Sequence, residues 1–275
     1  MCRLIAYAAP APTTLEALIG TAQCNVFRDM SRLHADGWGT AWVEDPNNDA
    51  EVHRTRATIP VDRTVPMSSA MESDIATARI VHLRMATSGM AVNLENSHPF
   101  VTDGLAFAHN GAVVPLEQLK ALLDPNLLAT VKGGTDSEHY FALIRQHLGG
   151  GMTPFEAVCA TVTLLRAHFP NASLNALLLS PEELIVIHSS ENARIPLKEF
   201  HASGLSDAEL PQDHLSSYYK MSYLQAPDSS IAFSSTGIDT TGWTPLPPAS
   251  VASVSLTTMQ LKIRSLIEAP VVSIG

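Results

Sequence analysis

Cysteine is scarce in this 275-residue chain: there are three, set far apart at positions 2, 24 and 159. An odd number without ligand spacing excludes a disulfide framework and a cysteine-built metal site, and points to a reducing compartment. Charge is scarce as well, at 16% of residues, and basic residues are the minority, 17 against 27 acidic, for a net charge of −10. That balance argues against nucleic acid or an anionic membrane surface as a partner. No apolar run is long enough to span a bilayer and no signal-peptide pattern opens the chain, so the expected location is the cytoplasm. What the chain does have is 45% hydrophobic residues and the length for a sizeable core. No repeat and no linker-like composition divides it, so residues 1–275 read as a single domain.

The apolar patterning places elements along the chain. Residues 2–8 read as a buried strand and 14–21 as a short helix with Leu15, Leu18 and Ile19 inward. Asp36-Gly37-Trp38-Gly39 opens a strand through Ala41 and Val43, the Asp-Pro-Asn-Asn turn at 45–48 closes it, and 51–58 alternates like a return strand. Residues 78–83 and 105–108 read as interior strands, each running into a polar cluster. A helix starting at Asp136 aligns Tyr140, Ile144 and Leu148 and stops at Gly149-Gly150-Gly151. A second opens on Thr153-Pro154-Phe155-Glu156, a capping-box spacing with proline at the first helical position. Its stripe of Phe155, Val158, Val162 and Leu165 takes Cys159 into the core. Strands follow at 174–179, 184–188, 231–234 and 251–261, an α+β order that suggests sheets enclosing a helical layer. The polar stretch 201–230, with Tyr218, Tyr219 and Tyr223, reads as a loop over a pocket.

Chemistry concentrates at Cys2 and in four later segments. Removal of Met1, which a small second residue permits, leaves a thiol and a free α-amine on one residue, a nucleophile with a base beside it. The segments are His82-Leu83-Arg84-Met85-Ala86-Thr87-Ser88-Gly89, Asn96-Ser97-His98-Pro99-Phe100, Ala108-His109-Asn110-Gly111 and Gly133-Gly134-Thr135-Asp136-Ser137-Glu138. Each alone has an ordinary explanation: a surface arginine, a loop His-Pro, an Asn-Gly turn, a helix cap. His34, His82 and His139 are scattered among them without ligand spacing, so no metal site is expected.

In this order behind Cys2, the segments resemble the class II glutamine amidotransferase domain of the N-terminal-nucleophile (Ntn) hydrolases, over residues 2 to 138. Asp-Gly-Trp-Gly and Gly242-Trp243-x-Pro are similar to a branch of small stand-alone proteins, the ergothioneine-pathway amidohydrolase and glutathione-degrading amidotransferase-like proteins. The resemblance implies a four-layer αββα sandwich and a thioester on Cys2 formed from a γ-glutamyl amide. It implies an oxyanion hole of the Asn110 side chain and the Gly111 backbone N–H. Arg84 then takes the substrate α-carboxylate and Asp136 the α-ammonium, while Thr87 and His98 shape the substrate pocket. It implies no metal and no cofactor. Two positions depart from the family's common pattern, Met85 and Ser88, both bordering the glutamine pocket in the resembling proteins. His109 is expected to be structural, and Trp38 to be either core or a lid.

The partner so implied is a small-molecule γ-glutamyl substrate, glutamine or a larger amide. Residues 139–275 are expected to complete the fold rather than add a synthase domain. Ammonia would then go free or to a separate ammonia-accepting or synthase partner, whereas a larger amide would release an amine. A different class of reading is a non-catalytic γ-glutamyl-binding or regulatory subunit. The leaving group and the oligomeric state stay open.

Overall fold

A computed structural model describes residues 2–46, 51–59, 65–87 and 89–267; Ser88 and the 47–48 half of the Asp-Pro-Asn-Asn turn lie outside the described residues. The first part of the chain forms strands β1 (Arg3–Thr13), β2 (Trp38–Val43), β3 (His53–Ala57), β4 (Ala76–Leu83), β5 (Phe100–Thr102) and β6 (Leu105–Ala112). Among them lie helices α1 (Leu15–Ile19), α2 (Thr21–Asp29) and α3 (Val65–Glu72). Helices α4 (Leu116–Lys120), α5 (Pro125–Leu128), α6 (Asp136–Gly149) and α7 (Pro154–His168) follow. The remainder is β7 (Ser173–Leu179), β8 (Glu183–His188), α8 (Leu197–Ala202), β9 (Met221–Gln225), β10 (Ile231–Ser235), β11 (Thr244–Pro245), β12 (Ser250–Ser255) and β13 (Leu261–Ser265).

The strands make two sheets, ordered β11-β9-β10-β1-β4-β2-β3 and β13-β12-β8-β7-β6-β5. All the strand pairs within them are antiparallel. Alternation along β1 explains why a nearly continuous apolar run forms a strand here. Leu4, Ala6 and Ala8 point between the sheets, whereas Ile5, Tyr7 and Ala9 point at α1, α2 and α3. The facing positions mix small Ala41, Ala78, Ala106 and Ala108 with large Ile80, Leu177, Leu179 and Phe233, so the sheets interdigitate. On the outer face of the second sheet, Phe107, Leu178 and Ile185 pack against Tyr140, Phe141, Val158 and Val162 of α6 and α7. The layers are therefore helix, sheet, sheet, helix. The order of elements in the chain had suggested sheets around a helical layer. The strands' two apolar faces instead need a second sheet on one side and helices on the other. No helix among the described residues is long and apolar enough to cross a membrane.

Caps set the helix ends as their sequence implies. Thr135 Oγ1 accepts from Glu138 N at the start of α6, and Thr153 and Glu156 form the full capping box of α7. Cys159 is buried in the core beside α7. Two strand readings change. The run 251–261 is a hairpin, because residues 256–260 turn with Met259 at φ 55. Stretch 201–230 ends in a strand, β9, paired with β10. Helix α2 escapes the pattern because it buries only Cys24 and Phe27; α3 places Met67 and Met71 in the core but is only eight residues long.

One end of the seam between the sheets is polar, and a close backbone approach defines it. Gly39 of β2 passes under the 98–99 segment so tightly that a Cβ would overlap His98 O and lie 2.8 Å from Pro99 Cδ. Gly39→Ala must push the segment off the strand, at a cost of about 1–3 kcal/mol. The expected outcome is a melting temperature several degrees below the parent's in calorimetry; an unchanged value would contradict this packing.

Candidate active site

Cys2 lies at the entrance of β1 on the inter-sheet side, 7% exposed. Pairing of Arg3 with Leu83 and of Trp38 with Leu83 brings the start of β1, the end of β4 and the start of β2 together. Across the seam, the Cys2 nitrogen donates to Asn110 Oδ1 of β6 at 2.9 Å. Because the amide oxygen is taken, the Asn110 Nδ2 donor faces the seam, buried and without a protein partner. Gly111 follows on the same strand. A Cβ there would overlap Ser173 O of β7 and crowd His109 Nε2 at 2.6 Å, so the sheet itself requires glycine. The Cys2 carbonyl accepts from Arg3 Nε at 2.6 Å and from the Tyr218 hydroxyl at 3.1 Å.

Arg84 continues β4 into the site. Its backbone is held by the Asp36-Gly37 turn: Arg84 N donates to Gly37 O at 2.8 Å and Asp36 N to Arg84 O at 3.0 Å. Asp36 also caps the loop beyond, its Oδ2 accepting from Ala86 N at 2.7 Å. Gly37 sits at φ +120, where a Cβ would overlap Ala57 O. The Arg84 guanidinium is buried and has one protein acceptor, Ala91 O at 3.1 Å; Nη1 has none. No carboxylate pairs with it among the described residues. Burial pulls its pKa below the usual range, against the upward pull of Cys2 and Asp36. Asn96 bridges the pocket walls, donating to the same Ala91 O at 3.1 Å and accepting from Gly134 N at 2.9 Å. Asp136, first in α6, is half-buried, and its Oδ2 accepts from Val113 N, just past Gly111, at 2.6 Å. Its Oδ1 has no protein partner among the described residues.

Three histidines surround this cluster. His98 stacks on His82, with ring centroids 4.3 Å apart, and edge-on against Phe100 at 4.7 Å. Both are buried, and neither ring offers a nitrogen to a protein partner. Burial holds His98 well below the usual imidazole range, helped by His82, His109 and nearby arginines, so it is neutral. His109 Nε2–H donates to Ser173 O at 2.8 Å, and Nδ1 accepts from Ser137 Oγ at 2.9 Å. With both nitrogens spent and burial lowering its pKa, His109 is a strut between the second sheet and α6. Burial pushes the Cys2 thiol up, but His82 and the N-terminal charge of the Met1-bearing chain outweigh it and bring it to about 6; removal of Met1 moves that charge. Met85 O receives the thiol at 4.0 Å.

The structure thus gathers Cys2, Arg84, His98, Asn110, Gly111 and Asp136 at one end of the seam. Thr87 lies two residues past Met85 on the loop after β4, with its side chain exposed and without a hydrogen bond to another described residue. Trp38 is core, packed with Tyr7, Phe27 and Leu83 under the helices, and is no lid. Met85 packs with Leu33, Phe200, Tyr218 and Tyr219, joining the pocket loop to the 200–219 segment. His34 bonds His214 at 3.3 Å and His139 bonds Thr135 O at 2.6 Å, so each is spent locally. Sequence reasoning passed over His82, Arg3 and Tyr218. Strand alternation offered a signal for His82, which shares its face with Ile80 and Arg84; nothing local signals Tyr218, 216 residues from its partner.

A thiol held near 6 is about half ionised at that pH. With Met1 in place, the rate of Cys2 alkylation by iodoacetamide should therefore rise through an apparent pKa near 6, whereas an ordinary thiol would rise near 8.5. Peptide mass mapping checks this; a midpoint above 8 would refute the electrostatic environment described.

The chain matches the class-II glutamine amidotransferase family over residues 1–243. It is 31% identical over 149 residues to the isomerizing glutamine–fructose-6-phosphate aminotransferase of Caulobacter vibrioides, covering 54% of this chain and 24% of that protein. The match is thus to a minor part of the relative's length. Among solved structures, a glutamine aminotransferase class-II domain protein from Silicibacter pomeroyi superposes with a TM-score of 0.62 at 20% identity, covering 97% of this chain and 100% of that one. The glutamine phosphoribosylpyrophosphate amidotransferase of B. subtilis gives 0.63 at 16% identity, covering 98% of this chain and 50% of that one. These neighbours share the Ntn-type fold of two antiparallel sheets between helices. On the family match across most of its length, this chain belongs to the class II glutamine amidotransferases.

Proposed function

We propose that the chain, once Met1 is removed, hydrolyses the side-chain amide of glutamine or of a related γ-glutamyl compound through a thioester on Cys2. One observation carries this reading: three groups with unspent capacity converge around a nucleophilic thiol. They are the Asn110 Nδ2 donor, the Arg84 guanidinium and Asp136 Oδ1. A buried cation without a counter-ion is costly, and an α-carboxylate offered to Arg84's planar fork removes that cost. Asp136 then receives the α-ammonium, so an amino-acid head group is read from both sides. Amide substrates without that head group fit poorly.

The chemistry follows from the placement. The Cys2 thiol gives its proton to the α-amine and the sulfur attacks the γ-carbonyl carbon. Charge that builds on the carbonyl oxygen is met by Asn110 Nδ2 and the Gly111 N–H. The carbon–nitrogen bond breaks as the α-ammonium returns the proton to the departing nitrogen, which leaves as ammonia or an amine. Water, deprotonated by the same amine, then cleaves the thioester to release glutamate and restore the thiol. His98 and His82 wall the pocket.

The test is glutamate formation by untagged protein, beside intact mass after a diazo-ketone analogue of glutamine. A single adduct on a Met1-free Cys2 is expected, and Cys2→Ala should give neither adduct nor glutamate; activity equal to the parent's in that variant would end the proposal. Asn110→Ala should lower kcat by about 10²–10³ with little change in KM. Arg84→Ala and Asp136→Ala should each raise KM by about tenfold or more, the loss of a charge-assisted hydrogen bond. Near-normal KM values in both would refute the head-group assignment.

A further inference from the structure

Arg3 points to the side of β1 opposite Cys2, beside Ile5 and Tyr7, and is fully buried. Its guanidinium nevertheless turns back onto its neighbour, Nε donating to Cys2 O at 2.6 Å. Nη1 is held by Thr236 O at 2.9 Å, Thr236 Oγ1 at 2.7 Å and Tyr218 O at 3.2 Å. The guanidinium carbon lies 3.8 Å from the centre of the Tyr218 ring, and the Tyr218 hydroxyl donates to the same Cys2 carbonyl at 3.1 Å. No carboxylate pairs with Arg3 among the described residues. Its charge is therefore unneutralised, and it reaches its surroundings: burial and then Arg3 bring His214 down to about 3. A buried, unneutralised cation is a poor way to fill space, since an apolar side chain of similar volume would be more stable.

We propose that Arg3, braced by Tyr218, is a positioning residue that keeps the mature α-amine of Cys2 as the free base beside the thiol. This rests on Cys2 being the N-terminal nucleophile of the proposed function. An amine can take the thiol proton only while its lone pair is free. A fixed positive charge bonded to the carbonyl of the same residue disfavours the ammonium. The same two bonds lock the carbonyl, so the nitrogen stays aimed at Asn110 Oδ1 and the sulfur at the seam. Other groups also face the amine. On β4 and the loops around it, Arg84 disfavours the ammonium, Asp36 favours it, and neutral His98 stacks on His82. From the second sheet and α6 come His109, also neutral, and Asp136, which favours the ammonium. Tyr219 and His214 flank Arg3 and Tyr218 from the 200–219 segment. Arg3 is the cation bonded directly to Cys2. In turnover the thiol proton moves to the amine, giving thiolate and ammonium, and the ammonium passes it to the leaving nitrogen, so Arg3 itself gains and loses nothing.

The experiment titrates the α-amine in Met1-free protein by the pH dependence of its acetylation, read from the mass of the N-terminal peptide with the thiol blocked. In the parent, the apparent amine pKa should fall below about 7, under the ordinary 7.7–8.0. Arg3→Gln and Arg3→Met should raise it by about one unit, and the acid limb of kcat/KM for glutamine should move up equally. Their kcat should drop up to about fivefold at pH 7, the loss of free base that a one-unit shift brings, with KM nearly unchanged, because Arg3 does not touch substrate. Arg3→Lys should restore the acid limb, and Tyr218→Phe should lower kcat several-fold without moving it. An ordinary amine pKa in the parent overturns the proposal whether or not the Arg3 variants fold. So does an amine pKa in folded Arg3→Gln equal to the parent's. Absence of glutaminase activity in the parent would sink the proposed function instead, while the amine titration would still decide the role of Arg3.

Discussion

The hydrogen bond from the Cys2 nitrogen to Asn110 Oδ1 spans the seam between the two sheets, and the rest of the site depends on it. It ties the first residue before β1 to the middle of the second sheet's edge region, 108 positions away in the chain. It also orients one amide. With Oδ1 committed to Cys2, the Nδ2 donor is left buried and without a protein partner. The spacing of the sheets is set far from this point by Ala6, Ala8, Ala106 and Ala108 and the larger residues filling between them. Packing of an apolar seam thus fixes the distance at which a polar pair can meet, a rigid platform of the kind a precise site needs.

Buried arginines show how the same residue type is used in different ways. Arg79 lies over the Trp42 ring at 4.9 Å and donates to Thr40 Oγ1 and Asp74 O, which makes it part of the first sheet's packing. Arg3 spends its donors on Cys2 O, Thr236 and Tyr218 O and keeps its charge beside the nucleophile's backbone. Arg84 spends one donor on Ala91 O and holds the rest toward the pocket. Arg3 Nη2 and Arg79 Nε are buried without a partner as Arg84 Nη1 is, so what separates the three is how many oxygens serve the rest of each guanidinium, fewest at Arg84.

The Asp36-Gly37-Trp38-Gly39 segment is the frame for that pocket rather than part of its chemistry. Asp36 and Gly37 fasten the backbone on both sides of Arg84, Trp38 anchors the segment in the core, and Gly39 lets the His98-Pro99 segment cross. Opposite it, Asn96 joins the arginine loop to Gly134, while Glu138 accepts from Gly133 N at 2.6 Å and Lys132 N at 3.0 Å. Arg84 and Asp136 come from different layers and are held in mutual register by these backbone bonds.

Much was legible before any coordinates. The apolar runs of β1, β4, β6 and β7 announce strands buried on both faces, and Thr153-Pro154-Phe155-Glu156 announces the start of α7, because alternation and caps are local physics. The order of Cys2, Arg84, Asn110, Gly111 and Asp136 pointed to the family, since side-chain type and sequence order survive without geometry. The resemblance carried the αββα layer order, which the apolar patterning alone did not, as an apolar face does not say whether a sheet or a helix covers it. The reason for Gly111 was not legible, as it lies in Ser173 O of the neighbouring strand. The split of the 251–261 run at Met259, the exposure of Thr87 and the burial of Trp38 needed the folded chain as well. So did the roles of His82, Arg3 and Tyr218 around the thiol. Sequence determined which groups are present and which faces are apolar; only tertiary structure decided which polar atoms find partners, because those partners lie a hundred residues and more along the chain.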